Sequence, residues 1–136
     1  MSPDLLIDTS VISELMRPRP SPKVVRWMNG LDAFALSVIT VEEVRYGLAL
    51  RRSARLESIF ERLVDHFATV LPVTVEVAEA CGRLRAAQRA RGRTRTQADM
   101  LIAATAAVGR LRLATRNVKD FDGCGVPLTN PFQSVG

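Results

Sequence analysis

Residues Leu5 to Leu15, LLIDTSVISEL, constrain the fold more than any other stretch of this chain. Leu5, Leu6 and Ile7 form a short apolar run suited to a strand buried on both faces, and Asp8 follows where such a strand should end. Thr9 and Ser10 then offer helix-capping hydroxyls before a helical pattern begins at Val11. The same alternation continues downstream. Ala33 to Ser37, Thr69 to Val73, Leu111 to Ala114 and Val126 to Leu128 read as further strands. Between them lie helical patterns: one opened by Ser21 and Pro22 and ended by Gly30, one from Thr40 to about Leu50, and one with Leu56, Ile59, Phe60, Leu63, Val64 and Phe67 along a single face. Another runs from Val77 to roughly Arg91 with Gly92 past its end, and an Ala-rich one is capped by Thr96 and stopped at Gly109. Such alternation predicts an α/β domain with a central, mostly parallel sheet. In an open parallel sheet, ligands bind at the carboxyl ends of the strands, so Asp8 should face a cleft; as a lone residue it could equally serve as a helix cap.

A chain of 136 residues is long enough to bury one core without staples, and residues 1–136 are expected to form a single domain. With 47% hydrophobic and 24% charged residues, a disordered or fibrous chain is excluded. No apolar run approaches a membrane span, and the N-terminus has neither the basic region nor the apolar core of a signal peptide, so no membrane association and a cytoplasmic location are expected. Cys81 falls in a helical pattern and Cys124 in a Gly-flanked loop, which suggests reduced thiols rather than a disulfide framework or a zinc site. The formal net charge of +5 makes a polyanion a plausible partner, although a merely solubilising surface would carry the same charge.

More polar positions recur in the context of Asp8. Glu43 is read in the first turn of the helix after the second strand, Asp99 in the first turn of the Ala-rich helix, and Asn117 and Asp120 after the strand LRLA. A crossover helix runs antiparallel to the strand it precedes, so the Ala-rich helix must begin at the sheet's carboxyl edge and all these positions can meet there. Each also has an ordinary explanation. Thr40 to Glu43 has the form of a capping box, Thr96 to Asp99 a looser version of it, and Asp120 could be a turn residue. Convergence is the stronger signal: two carboxylates about 5 Å apart at an effective dielectric near 20 repel by roughly 3 kcal/mol, so a cluster persists most readily around a cation. Oxygen donors without paired Cys or His suit Mg²⁺ or Mn²⁺ rather than zinc. His66 is the only histidine and falls in an amphipathic helix, which disfavours a His-dependent triad and leaves a metal-activated water as the natural nucleophile.

The segments LLIDTSVISELMRPRP, LSVITVEEVRYGLAL, TQADMLIAATA and LATRNVKDF, in this order and at these separations, resemble the PIN-domain ribonucleases of the VapC toxin type over nearly the whole chain. The resemblance implies a three-layer α/β/α fold, RNA cleavage with Mg²⁺ or Mn²⁺ leaving 5′ phosphates, a homodimer, and silencing by a cognate VapB-type antitoxin. It implies Asp8 as the first acid, Glu43 as the second, in the pattern Glu43-Val44-Arg45-Tyr46-Gly47, and Asp99 as the third. Asp120 would complete the set, with Asp8, Asp99 and Asp120 on the metal and Asn117 as a polar partner; Asn117 stands where some members carry the acid. Thr9 and Thr115 would hydrogen-bond in the same site, while Ser10 departs from the Asn of many members. Arg91, Arg93 and Arg95 ahead of Asp99, with Arg116 and Lys119, are candidates for gripping the RNA backbone, although a run of this kind is also found on solvated loops. The expected function is thus a metal-dependent endoribonuclease toxin; the alternative is a non-catalytic nucleic-acid-binding module with a vestigial acidic site.

Overall fold

In the computed structural model, which describes residues 3–133, strands and helices alternate almost throughout. The order is β1 (Leu5–Ile7), α1 (Thr9–Leu15), α2 (Pro22–Asn29), β2 (Phe34–Ser37), α3 (Val38–Arg51), α4 (Ala54–Phe67), β3 (Ala68–Leu71), α5 (Val75–Ala90), α6 (Gln97–Gly109), β4 (Arg112–Ala114), a 3₁₀ turn (Val118–Phe121) and β5 (Leu128–Thr129). The strands form one sheet in the order β3-β2-β1-β4-β5, and every neighbouring pair is parallel. The first strand in sequence is therefore the central one, with Leu6 opposite Ala35 on one side and Leu113 on the other.

Period-two alternation divides the core in two. Leu5, Ile7, Phe34 and Leu36 point to the layer of α1–α4, where they meet Val11, Ile12, Val24, Met28, Val44, Leu48 and Phe60. Leu6, Ala35 and Leu113 point the other way, onto Val77 and Cys81 of α5 and Met100, Ile102, Ala103 and Ala106 of α6. The run of small residues in α6 permits close packing both on the sheet and along α5. This is the expected α/β/α sandwich with a parallel sheet. No helix among the described residues is long and apolar enough to cross a membrane.

Several details differ from the sequence reading. Helix α3 begins at Val38 rather than Thr40, because Ser37, still extended at the end of β2, caps it by accepting the Ile39 N–H at 3.0 Å. With no loop between strand and helix, Thr40 is carried inside and Glu43 falls beyond the first turn, so the Thr40–Glu43 capping box does not form. The apolar face of α4 packs inward: Phe60 is fully buried and Leu63 and Val64 lie against the same core, leaving only Phe67 of this face well exposed. Gly109 is the last helical residue of α6, and the left-handed cap is Arg110.

Candidate active site

Asp8 stands immediately after β1, the central strand, at the carboxyl edge of the sheet. It occupies the N-cap position of α1, yet its side chain makes no capping bond. Instead Oδ2 accepts two hydroxyl protons, from Ser10 at 2.8 Å and from Thr115 at 2.8 Å, and only 3% of the residue is exposed. Thr115 follows β4, the strand paired directly with β1, so the parallel register places its hydroxyl beside Asp8. Glu43 arrives from α3: Thr9 Oγ1 donates to its Oε1 at 2.7 Å, with the buried Thr40 hydroxyl 3.0 Å from the same Thr9 oxygen. The glutamate side chain is thus tied to the residue after Asp8 and not to its own helix terminus.

Asp99 enters at the start of α6, where Thr96 caps the helix by accepting the Asp99 N–H at 3.1 Å. Its carboxyl is pushed above the ordinary value, first by burial and then by the negative charge of Asp8; a hydrogen bond with Thr96 opposes the shift, and Asp120 and Glu43 add to it. Four carboxyls from four separate segments therefore share one electrostatic environment. Asp120 reaches it from the 3₁₀ turn and is met by Arg95 Nη1 at 3.4 Å, while Arg95 Nη2 donates to the Lys119 carbonyl at 3.0 Å. Asn117 is exposed, and its backbone N–H donates to Thr115 Oγ1 at 3.0 Å.

A sequence model of the PIN domain, matched on residues 5–123, spans all of these acids. The chain belongs to the PIN-domain family. Its relatives include the VapC ribonuclease Y4jK of Sinorhizobium fredii, 31% identical over 95% of this chain and 98% of the relative, and the toxin FitB of Neisseria gonorrhoeae, 35% identical over 94% and 98%. The structure of FitAB bound to a DNA fragment superposes on this PIN domain with a TM-score of 0.83 at 32% identity, covering 97% of this chain and 98% of that one. These likenesses extend over the full sandwich, the VapC-type resemblance included.

Within the PIN domain the candidate residues fall into two groups. Asp8, Glu43, Asp99 and Asp120, with Thr9 and Thr115, come together at the carboxyl edge. The basic residues do not act as one run. Arg93 pairs with Asp122 at 3.3 Å and Arg95 with Asp120, Arg91 lies with its guanidinium against Gly123, and Arg116 stacks on the Phe132 ring at 4.6 Å. Lys119 is exposed on the 3₁₀ turn. Arg95 is held by its Nη1 and Nη2 bonds, while its Nε is buried without a hydrogen-bond partner. His66 is exposed on α4 in an edge contact with Phe67.

The donor set suits a hard divalent cation: carboxylates and hydroxyls, with no His or Cys among them. Among the described residues, however, no three acids close on a common point as metal ligands would. Asp8 and Glu43 are instead turned to hydroxyls, and both protons given to Asp8 go to one oxygen, so its other oxygen takes neither. The residues fit such an ion in chemistry. Two cysteines, Cys81 and Cys124, are buried and free, and burial is the first cause of their raised thiol pKa values, so neither is a poised nucleophile. Sequence reasoning missed Ser10 as a direct partner of Asp8, and it missed Arg17 and Arg51, which line the clefts beside the acids. A serine two residues past the strand was the one available signal.

Proposed function

We propose that this chain is a metal-dependent endoribonuclease, the toxin of a toxin–antitoxin pair, built as a single domain over residues 1–136 and acting in the cytoplasm. The observation that carries this reading is the placement of Asp8, Glu43, Asp99 and Asp120 on one edge, where the Asp99 carboxyl, raised first by burial, also senses the charges of the other three. Four acids gathered on the ligand-binding edge of a parallel sheet are costly unless they serve a cation. The names of the relatives, a VapC ribonuclease and a toxin, agree with it.

In this reading Asp8, Asp99 and Asp120 would hold Mg²⁺ or Mn²⁺, and Glu43 would orient or deprotonate the attacking water. When bound, the ion supplies charge neutralisation at the scissile phosphate and acidifies water. The chain's own part is positioning. Ser10 and Thr115 fix the Asp8 carboxylate, leaving its second oxygen for the cation, and Thr9 keeps Glu43 from rotating out. Thr96 holds Asp99 at the head of α6, and Arg95 shields Asp120. Asn117, beside Ser10 on the cleft wall, would contact the substrate or a neighbouring carboxylate. Hydrolysis that releases a 3′ oxygen leaves a 5′ phosphate.

The partners would be RNA, a VapB-type antitoxin and a second copy of the chain. A groove between α2 and α4, lined by Leu15, Val25, Met28, Phe34, Leu63 and Phe67, would supply the apolar seat for an antitoxin segment. A nucleic-acid-binding module with a vestigial site is the competing reading, and the separation of the acids favours it. Cleavage of total RNA with Mg²⁺ and with EDTA distinguishes the two. We expect Asp8→Asn and Asp99→Asn to lose more than the roughly 10–100-fold that an outer-shell partner costs, with melting curves that still show a cooperative fold. Wild-type protein that binds RNA but never cuts it would leave only the binding module.

A further inference from the structure

The acidic edge has a basic flank on each side, and the two are not equivalent. On one side Arg93, Arg95 and Lys119 line an open cleft of about 470 Å³. Its charge is largely spent within the fold, since Arg93 pairs with Asp122 and Arg95 with Asp120. On the other side lies a larger cleft, of about 640 Å³, lined by Ser10, Glu14, Arg17, Arg51, Arg116 and Asn117. Three guanidiniums there face one carboxylate. Arg17 takes that carboxylate, lying 3.4 Å from Glu14, whose other oxygen accepts the Ser21 N–H at 2.8 Å.

Arg51 and Arg116 are placed without being neutralised. Arg51 Nη1 donates at 2.7 Å to the Met16 carbonyl just past the end of α1, which steers the side chain and leaves its charge intact. Arg116 lies over the Phe132 ring, an apolar support that also preserves charge. Among the described residues neither forms a salt bridge. Ser10 joins this cleft to the acids: its hydroxyl donates to Asp8 Oδ2 and accepts the Arg116 N–H at 3.1 Å. One residue therefore both lines the arginine cleft and braces the central carboxylate.

We infer that the cleft of Arg51 and Arg116 is a phosphate subsite, which grips the backbone of single-stranded RNA next to the scissile bond. The inference rests on the nuclease reading above and deepens it. A strand that presents one phosphate to the acids must carry its neighbouring phosphates past the flanks, and the flank with unspent guanidiniums is the one that can hold them. Arg forks match phosphate oxygens in pairs. An acid as recessed as Asp8 is reached by a flexible strand more readily than by a duplex whose bases are stacked.

The test is a salt titration of binding, in EDTA, of a short fluorescein-labelled single-stranded RNA to wild type and to Arg51→Gln/Arg116→Gln. Losing two phosphate contacts should lower the slope of log K against log salt by roughly 1.4, and affinity about tenfold or more near 0.1 M salt. Arg116→Gln alone, with about half that fall in slope, replaces the pair if Arg51→Gln does not fold. Arg93→Gln, on the other flank, is expected to leave the slope unchanged. An unaltered slope in the Arg51/Arg116 variants, or an equal fall in Arg93→Gln, overturns the assignment. So does intact RNA binding combined with loss of co-purification of the neighbouring gene's product, which would give the cleft to a protein partner. Cleavage by wild type with Mg²⁺ is followed in parallel. No cleavage with the slope difference present removes the nuclease reading alone; cleavage with an unchanged slope removes the subsite alone.

Discussion

Ionised Asp99 is held against its surroundings. Its folded pKa lies above the ordinary 3.8, chiefly through burial and then through Asp8, so the folded chain binds this proton more tightly than the unfolded chain does. The stability that protonation contributes is fully present below the unfolded value and is lost as pH rises through the folded one. Asp99→Asn mimics the protonated form and keeps an oxygen for Thr96. In EDTA at pH 7 it should therefore melt higher than wild type, and the gain should shrink towards zero as pH is lowered through the carboxylate range. Melting curves at pH 7 and near pH 4 check this; an equal gain at both would point to packing instead of charge. At this scale the sequence was informative about identity and silent about partners. Asp8, Glu43 and Asp99 could be picked out by their places at strand and helix ends, but that Thr9 ties Glu43 and Ser10 braces Asp8 depends on distances that no linear spacing encodes.

Helix α5 passes close to the loop after the 3₁₀ turn. Gln88, fully buried on α5, donates to the Asp122 carbonyl at 3.0 Å, and Gly123 follows with a φ of +81°. A Cβ there would lie 2.5 Å from Arg91 Nη1 and 3.3 Å from Gln88 Nε2, besides forcing an L side chain into the left-handed region. Gly123→Ala should cost about 1–2 kcal/mol from backbone strain alone, a fall of roughly 4–8 °C, and should quicken amide exchange across residues 117–124. Gly82→Ala, at an exposed position inside α5 with no heavy atom within 4 Å, should instead stabilise by about 0.5–1 kcal/mol. Finding the same sign for both would mean the loop does not hold Gly123 as described. Helix starts were legible where the cap is unambiguous, as with Thr96. They were misread where two caps compete: Thr40-x-x-Glu43 has the better local pattern, yet Ser37 wins because β2 runs straight into α3.

The molecule as a whole leaves apolar side chains outside its two cores. Val70 and Val73 are exposed at or just past β3, an edge strand, and Val75, three-quarters exposed, opens α5 beside them. Pro72 interrupts the backbone donors along this edge, so side-chain packing rather than strand pairing would join two copies there. We expect a homodimer through this face, since the apolar face of α4 is turned inward. Sedimentation at micromolar concentration should give a dimer for wild type and a monomer for Val73→Asp/Val75→Asp. A wild-type monomer, or a double variant that stays dimeric, would discard this face.

By itself the sequence determined the alternation of strands and helices, the mostly parallel sheet and the segments that bear the acids, because strand and helix periodicities are local and the crossover rule leaves few ways to assemble them; the layer order came from the family resemblance. It could not decide which charges remain free. Arg93 and Arg95 stand in the most basic stretch before Asp99 yet are paired within the fold, while Arg51 and Arg116, 65 positions apart by their numbering, line the same cleft with their charge unspent. Charge is written residue by residue, but its neutralisation is settled by which side chains the folded chain brings within a few ångströms, and that is a property of the tertiary structure alone.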